Sequence, residues 1–316
     1  MGIYGVLDSR NIRNTFFAKL AQAEAGTFAA KVGMMMDSDR AVEQYNWLGQ
    51  APAMREWIGG RHERQLNKFI YSITNRKFES TMAISNDDIR RDKTSQIMAR
   101  VADLGARTAQ HWDKLLSELL LLAEGSTAAG LCYDGQYFFD TDHVEGDSGT
   151  QTNDLTATEV PAANVTTTTA PTAAELASVL VQTVGHMYSF KDDQGEPINQ
   201  DARNFVVMVP TPFWGAASQA VSKELLAVGG ATITNPSTGL GVNFQVVANP
   251  RLTWTTKLAL FRTDGLLKPL IMQSETGVET EMKDETFDND RQLFGVKANR
   301  AVGFGMWQHA ALVTLS

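Results

Sequence analysis

The sequence predicts an α+β fold in which a long amphipathic helix joins a β-rich segment to a mixed middle region and a β-rich end. Apolar side chains alternate with period two between residues 65 and 85, which indicates β-structure. From about 89 to 124 apolar residues recur every three or four positions, as on one face of a helix. After Gly265 short apolar runs suited to strands return, so we expect the chain to end in β-structure.

The composition is that of a globular protein without nucleic-acid or membrane specialisation. The chain has 316 residues, 43% of them hydrophobic and 20% charged, enough for one large domain or two ordinary ones. Its net charge of -8 opposes tight binding to nucleic acid or anionic lipid. The single cysteine, Cys132, excludes an internal disulfide and is expected to be a small buried residue. No segment approaches the ~20 apolar residues that cross a bilayer.

The first half is expected to contain an arm, a hairpin and the long helix. Residues 1–50 form the arm, with a helix from about 12 to 23, and residues 65–85 form one β-hairpin that turns at Asn75-Arg76-Lys77. Ser85 with Asp88 three residues on resembles a capping box, so a helix should begin there. Gly125 is expected to end that helix, at about Glu124.

The second half is expected to be an α/β region followed by strands. Residues 146–172 are rich in Thr, Ala, Asn and Gly and predict a weakly structured connection. Thr172 and Glu175 form a capping box that opens a helix. The remaining expected elements are a helix at 212–228 and strands at 205–209, 242–248, 258–262, 270–273, 278–282 and 300–315.

One cluster of polar residues could carry chemistry. Asp134, Asp140, Asp142 and His143 lie within ten residues, and carboxylates beside a histidine can hold a hard metal or form an acid–base pair. Their spacing matches no calcium or zinc signature, and the preferred interpretation is an Asp-Gly turn before an aromatic strand. We predict no catalytic residue, metal or cofactor; a metal-dependent hydrolase centred on this cluster is the alternative from another class.

Three groups of residues carry a resemblance to a known family. They are YNWLG at 45–49 with REWIG at 55–59; CYDGQYFFD at 132–140; and KPLI at 268–271 with FGV at 294–296 and GFGMWQ at 303–308. These stretches resemble the major head subunit, or T protein, of Mu-like phages and prophages. The order of the predicted elements also resembles the Hong Kong 97 capsid fold. Residues 150–260 carry no part of the family resemblance.

The resemblance implies a domain organisation. It consists of an N-terminal arm (1–50), an extended loop built as a β-hairpin (51–88), a peripheral domain with the spine helix (89–165), an axial α/β domain (166–265) and peripheral return strands (266–316). The implied protein is not an enzyme. It is a major capsid protein that assembles as hexamers and pentamers into an icosahedral shell around double-stranded DNA.

The resemblance also implies partners and a location. The partners are other copies of the chain, a portal protein, a separate scaffold and protease, and packaged DNA contacted non-specifically; a decoration protein is left open and no membrane is expected. The protein would reside in the virion after assembly in the host cytoplasm. The alternative on the same fold is an encapsulin-like compartment, which encloses an enzyme instead of a genome.

A projecting two-stranded ribbon is marginally stable by itself, so we expect the hairpin to lie on a neighbouring subunit. One hypothesis is that its basic residues rest against the acidic late β-region of the neighbour, which would speed correct encounter. The simpler alternative is two solvated charged faces. The candidate contact residues are Trp47, Trp57, Phe69, Tyr71, Ile73, Arg76, Lys77, Phe78, Glu279, Glu281, Asp284 and Glu285.

Overall fold

The computed structural model of the chain describes residues 9–48, 68–91, 96–125, 127–228, 231–285 and 289–316. Within these ranges the α-helices are α1 (Ser9–Glu24), α2 (Ala29–Val32), α3 (Asn86–Arg91), α4 (Gln96–Leu120), α5 (Ala173–Tyr188) and α6 (Trp214–Ser222). The strands are β1 (Gly33–Asp37), β2 (Val42–Leu48), β3 (Lys68–Thr74), β4 (Arg76–Ser85), β5 (Asp154–Leu155), β6 (Asn204–Val209), β7 (Leu225–Val228), β8 (Ala231–Thr234), β9 (Asn243–Ala248), β10 (Lys257–Arg262), β11 (Leu270–Glu285), β12 (Arg291–Phe304) and β13 (Ala310–Thr314).

The strands form two sheets and two separate pairs. The four-stranded sheet has the order β1-β11-β12-β4, with β1 parallel to β11 and the other pairs antiparallel. The five-stranded sheet has the order β5-β13-β10-β6-β9 and is mixed. Strands β2 and β3 form an antiparallel pair, called the ribbon below, and β7 pairs with β8.

The five-stranded sheet is the middle of three layers. Successive residues of a strand point to opposite faces, and in β6 Val207 belongs to the apolar cluster that contains Leu180 of α5. Its neighbour Val206 belongs instead to the cluster that contains Trp112 and Leu116 of α4. Because both faces are covered, β6 and β10 read as nearly continuous apolar runs, and the predicted strands there are confirmed.

Helix α4 connects the two sheets. Its 25 residues extend about 37 Å. Near its start, Val101 packs with Phe16 of α1 and Phe294 of β12, whereas its end packs into the main core. The sequence predicted one helix over 89–124; the structure has α3 and α4, with 92–95 outside the described residues. The last α-helical amide is that of Leu121, which donates to Ser117 O at 3.1 Å. The amides of Leu122 and Ala123 donate to carbonyls three residues back, at 3.0 and 3.2 Å, so α4 ends at Leu120.

The predicted hairpin of residues 65–85 is wrong in its pairing. β3 pairs with β2, and β4 pairs with β12, so the two strands do not bond to each other. A single residue, Asn75, separates them, and hairpin loops need at least two. The Asn75 amide donates to Ala41 O at 2.9 Å, which carries the ribbon ladder one residue further before the chain enters the four-stranded sheet.

Helix α6 ends six residues before the predicted end at 228. Lys223 is extended, and Leu225–Val228 is strand β7. The side-chain amide of Asn235 donates to Ala220 O and Lys223 O, each at 2.6 Å, and so satisfies carbonyls at the helix end. Because this cap comes from a residue beyond β7 and β8, local sequence gave no sign of it.

The late strands and the connection at 146–172 also differ from expectation. The strands predicted at 270–273 and 278–282 are parts of β11, which continues through irregular pairing around Thr276. The predicted closing strand is two strands in different sheets, β12 and β13, and a β-carbon on Gly305 between them would meet Lys268 O at 2.3 Å. The predicted weakly structured connection is irregular but packed, with Leu155, Val160 and Ala163 fully buried in the α5 cluster.

Helix α1 and the start of α5 follow the predictions. α1 covers the helix expected from about 12 to 23. At α5, Glu175 N donates to Thr172 Oγ1 at 3.3 Å and Thr172 N donates to Glu175 Oε2 at 2.8 Å, which confirms the capping box.

Candidate assembly interface

The base of the ribbon is fixed to the four-stranded sheet by polar side chains. The Tyr45 hydroxyl donates to Gln273 Oε1 at 2.7 Å, and Gln273 Nε2 donates to Asn75 Oδ1 at 2.8 Å. The Tyr71 hydroxyl accepts from Phe304 N at 3.1 Å. Burial raises the pKa of Tyr45 to about 12 and also raises that of Tyr71, so both phenols stay protonated at neutral pH. The ribbon therefore leaves the sheet from a rigid base.

The apolar contact candidates of the ribbon divide by position. Ile73 is 4% exposed and packs against Ile271 and Ala301 of its own chain, so it offers no surface to a neighbour, contrary to expectation. Ile70, which the sequence did not single out, is 68% exposed. Trp47 and Phe69 stand opposite each other in the strand register. Trp57 lies outside the described residues.

The basic and acidic candidates lie in one sheet of one chain. Arg76 and Lys77 are exposed at the start of β4, Glu279 and Glu281 are exposed on β11, and β12 lies between these strands. Lys297 of β12 approaches Glu279 at 3.2 Å and Glu281 at 2.5 Å. Hydrogen bonds to the two carboxylates raise the pKa of Lys297, and the bond to Lys297 lowers that of Glu281.

The other two acidic candidates lie at the end of β11. Glu285 is bonded to Lys283 at 2.9 Å and to Arg291 at 2.8 Å, and these bonds lower the pKa of Glu285 to about 2. Asp284 is exposed. The acidic residues thus have partners within the chain, and docking of Arg76 and Lys77 on a neighbour's acids stays a prediction.

A groove of about 310 Å³ lies between α4 and the paired strands β4 and β12. Its apolar lining includes Phe78, Leu104 and Val296. The Phe78 ring meets the His111 ring edge to face, with centroids 4.4 Å apart. Burial, together with the charges of Arg300, Lys114 and Arg251, lowers the pKa of His111 to about 4, so this ring is neutral at pH 7. Phe78, a predicted subunit contact, thus contributes to a groove.

Arg300 is the unusual residue of this groove. It is 3% exposed and lies 4.4 Å from the ring centre of Trp112, a cation–π contact. Its Nη1 donates to Thr108 O at 3.4 Å, and its Nε has no hydrogen-bond partner among the described residues. Burial lowers the pKa of Arg300 to about 10, partly offset by the charge of Glu24, so the guanidinium is still charged at pH 7. The structure places a buried cation beside an open groove.

The sequence prediction missed this groove, although part of it is visible in the sequence. Arg107, His111 and Lys114 follow one another at spacings of four and three, which puts three basic residues on one face of α4. Arg300 gave no such signal, because its burial depends on how β12 packs across α4.

The Asp134–His143 cluster is part of the core. His143 is fully buried, its Nδ1 lies 2.6 Å from Asp134 Oδ2, and its ring stacks on Trp307 at 4.0 Å. Asp140 is turned to local backbone and accepts from Tyr137 N at 3.2 Å and from Thr141 N at 2.7 Å. The predicted Asp-Gly turn is present, with Gly135 N donating to Cys132 O at 3.2 Å. The aromatic strand predicted after it is wrong, because the described residues between α4 and β5 form no strand and Tyr137 makes only an isolated bridge with Leu131.

A second buried carboxylate completes the same core. Glu145 Oε1 accepts from Trp307 Nε1 at 2.9 Å, from Gln308 Nε2 at 3.0 Å and from the Tyr133 hydroxyl. Burial raises the pKa of Glu145, while these bonds oppose the rise. Cys132 is buried as expected, and burial raises the pKa of its thiol. Both GFGMWQ and CYDGQYFFD thus serve packing, since they meet at this cluster.

The described residues form neither a metal centre nor a membrane-crossing helix. They contain no group of three or more His, Cys, Asp or Glu side chains placed to hold a metal ion. They also contain no helix with the length and apolar character that crossing a membrane requires.

Taken together, a ribbon anchored at its base, a long helix between two sheets and a mixed five-stranded sheet form a fold of the Hong Kong 97 type. Solved structures support this class. The mature capsid of bacteriophage PhiM1 matches 92% of this chain and 87% of its own at a TM-score of 0.56 and 13% identity. A virus-like particle from Pyrococcus furiosus matches 98% of this chain and 100% of its own at a TM-score of 0.54 and 6% identity. At these identities the likeness concerns the fold.

The family follows from the sequence. The family described as Mu-like prophage major head subunit gpT matches residues 9–172 and 242–314, well over half of the chain, and the chain belongs to this family. The major capsid protein of Escherichia phage Mu is 37% identical over 113 residues, which cover 36% of each chain. The Mu-like prophage FluMu major head subunit of Haemophilus influenzae is 33% identical over 141 residues, 44% of each chain. The matched stretches span less than half the length of these curated relatives.

Proposed function

We propose that this chain is the major capsid protein of a Mu-like tailed phage or prophage and that it assembles as hexamers and pentamers into an icosahedral shell around double-stranded DNA. The observation that carries this proposal is the family match, which includes the ribbon, α4 and the late strands. The capsid fold of the solved relatives supports it. A subunit of this kind acts through its surfaces and needs no catalytic group.

The proposed assembly depends on contacts that are incomplete in one copy. The ribbon is two-stranded, and Ile70 on it is largely exposed, so we expect it to bury apolar surface against another copy. A surface patch on one copy that fits a different patch on the next gives head-to-tail contacts, which close into rings. Rings of five and six from the same contacts would close the shell.

The proposal includes the partners that a tailed-phage head requires. They are a portal protein, a separate scaffold and protease, and packaged DNA. The net charge of -8 favours a wall along which DNA can slide. It disfavours a surface that binds DNA tightly. Assembly would take place in the host cytoplasm.

Electron microscopy of the purified chain, expressed with and without its neighbouring genes, tests the proposal. We expect closed shells of uniform diameter in at least one condition, and DNA-filled heads with a single tail vertex in the native phage. A chain that forms only small soluble oligomers in every condition contradicts the proposal. Closed shells that hold a host enzyme and no DNA would support the encapsulin-like alternative instead.

A further inference from the structure

We propose that the groove beside Arg300 is a contact site between copies of this chain and that it binds the acidic tip at residues 284–290 of a neighbouring copy. The inference rests on the proposed function, because it names a surface through which shell subunits would meet.

The first observation is the buried charge of Arg300. The side chain is 3% exposed, and its Nε lacks a partner among the described residues. Its contacts are a carbonyl, Thr108 O, and the face of Trp112, and neither carries a full negative charge. The charge of Glu24 also acts on Arg300, but the two side chains form no salt bridge among the described residues. A buried guanidinium is costly unless an anion approaches it. The groove that Arg300 lines gives an anion a path to it.

The second observation is the charge and polarity of the groove. Its rim carries Arg107, Lys114 and Lys297, and the lining includes one carboxylate, that of Glu79. The three rim cations do have carboxylate partners within the chain. The cationic side chains are, however, at least half exposed, and exposed ion pairs contribute little to stability. Such cations are free to exchange partners. The site thus suits a ligand with an apolar side chain between carboxylates.

The acidic tip has this composition. Residues 284–290 read DETFDND, in which Phe287 stands between Glu285 and Asp288. An aromatic side chain in an apolar pocket with charges at the rim is the usual form of an interface anchor. The tip therefore complements the groove in both polarity and charge.

The tip that binds in the groove must belong to another copy of the chain. Strand β12 begins at Arg291, directly after the tip, and reaches the groove at Val296–Arg300. The seven steps along the strand from Arg291 to Ala298 extend roughly 23 Å. Continuous pairing with β4 and β11 keeps Arg291 at this distance from Ala298, so we assign the bound tip to a neighbouring copy.

Cross-linking in assembled shells tests the contact. Ser80 is exposed and lines the groove, and the only native cysteine, Cys132, is buried, so the background is low. We expect the double variant Ser80→Cys with Phe287→Cys to form disulfides between subunits under a mild oxidant. Most of the chain in purified shells would then run as dimers and larger species on a non-reducing gel, and reductant would return it to monomer.

The controls separate this contact from the proposed function. Each single variant should stay monomeric on the gel. So should the combination of Phe287→Cys with Gln219→Cys, which places a cysteine at an exposed position of α6. Double-variant shells without cross-linked species overturn the inference and leave the shell function standing. Failure of the unaltered chain to form shells is a different result and counts against the proposed function.

Charge variants test the electrostatic part. Lys114→Gln and Asp288→Asn, each added to the cross-linking variant, should lower the rate of cross-linking by about threefold at low salt, because each removes one charge from the contact. The difference should shrink at high salt. Equal rates in all three variants at low salt contradict a contact guided by these charges.

Discussion

At the scale of single residues, close contacts fix how the ribbon joins the four-stranded sheet. Gly303 of β12 lies under the ribbon base, where an added β-carbon would be 2.4 Å from Ile73 Cδ1 and 3.1 Å from Tyr71 Cε1. Both side chains would have to move, and the ribbon would move with them. Gly303 therefore links the position of the ribbon to the packing of β12.

We expect Gly303→Ala to lower the free energy of unfolding by about 1–3 kcal/mol, because overpacking displaces Ile73. Shell yield should fall as well, since the ribbon base is displaced. Urea unfolding of unassembled subunits measures the first effect. Gly215→Ala is the matched control: it lies in α6 with no atom within 4 Å of the added carbon and should be neutral or slightly stabilising. Equal stability of the Gly303 variant and the parent would contradict the account.

The histidine in the groove predicts a pH dependence. The folded-state pKa of His111, about 4, lies below its ordinary value of 6.5, so this residue favours the folded state fully above pH 6.5. That contribution is lost as the pH falls toward 4. Replacement by phenylalanine keeps the ring beside Phe78 and removes the titration.

For His111→Phe we expect a smaller decrease in the urea midpoint between pH 7 and pH 4.5 than in the parent. Part of the decrease should remain, because burial also lowers the pKa of His309 to about 4. Unfolding is followed by tryptophan fluorescence of unassembled subunits. A variant whose midpoint changes with pH as steeply as the parent's would show that His111 is not buried as neutral imidazole.

At the scale of elements, sequence patterns predicted those whose cause is local. α1, the α5 capping box, β6 and β10 follow from periodicity and capping residues and are confirmed. The errors share one cause, which is pairing between distant segments. The partner of β3 is β2, and the end of α6 is set by Asn235. Neither relation can be detected in a sequence window of ten or fifteen residues.

The sequence likewise predicts only part of the candidate site. Exposed charged residues on β4 and β11 were recognised, because charge is read directly from sequence. The sequence predicts Ile73 as a contact for a neighbour, although the alternation of its strand equally fits the observed burial on the chain's own sheet. The burial of Arg300 depends on α4, β4 and β12 meeting, so no single segment indicates it.

The helix-ending role of Asn235 predicts the effect of its removal. Asn235→Ala should lower the free energy of unfolding by about 1–3 kcal/mol, because Lys223 O loses its side-chain donor, Ala220 O keeps only the Ser237 hydroxyl, and Ser237 N loses its acceptor. Asn243→Ala is the control, since the exposed side chain of Asn243 bonds only the side chain of Asn204. Urea unfolding compares the two, and equal losses would contradict a special role for Asn235.

The ribbon predicts a variant that separates folding from assembly. Ile70→Lys should leave the stability of unassembled subunits nearly unchanged, because the side chain is 68% exposed, and should reduce shell yield strongly. Ile70→Val keeps an apolar side chain and should assemble almost as well as the parent. Sedimentation of assembly mixtures gives the yields. Normal assembly of the lysine variant would show that this part of the ribbon meets no neighbour.

At the scale of the whole molecule, two sheets and the helix between them share an apolar core, and the ribbon is attached to this body at its base. The five-stranded sheet is covered on both faces, and α1 and the start of α4 cover part of the other sheet. Among the described residues, the surfaces left open to another copy include Ile70 of the ribbon and the groove beside Arg300. Their completion by other copies is the central claim.

The mass of the expressed chain in solution tests that claim most directly. One subunit has a mass of 34.6 kDa, and a closed shell of hexamers and pentamers has a mass in the megadalton range. We predict that sedimentation velocity, with the neighbouring head genes co-expressed, shows a discrete megadalton species of uniform size. A chain that stays a stable, folded 34.6 kDa monomer at micromolar concentration under these conditions would contradict the account.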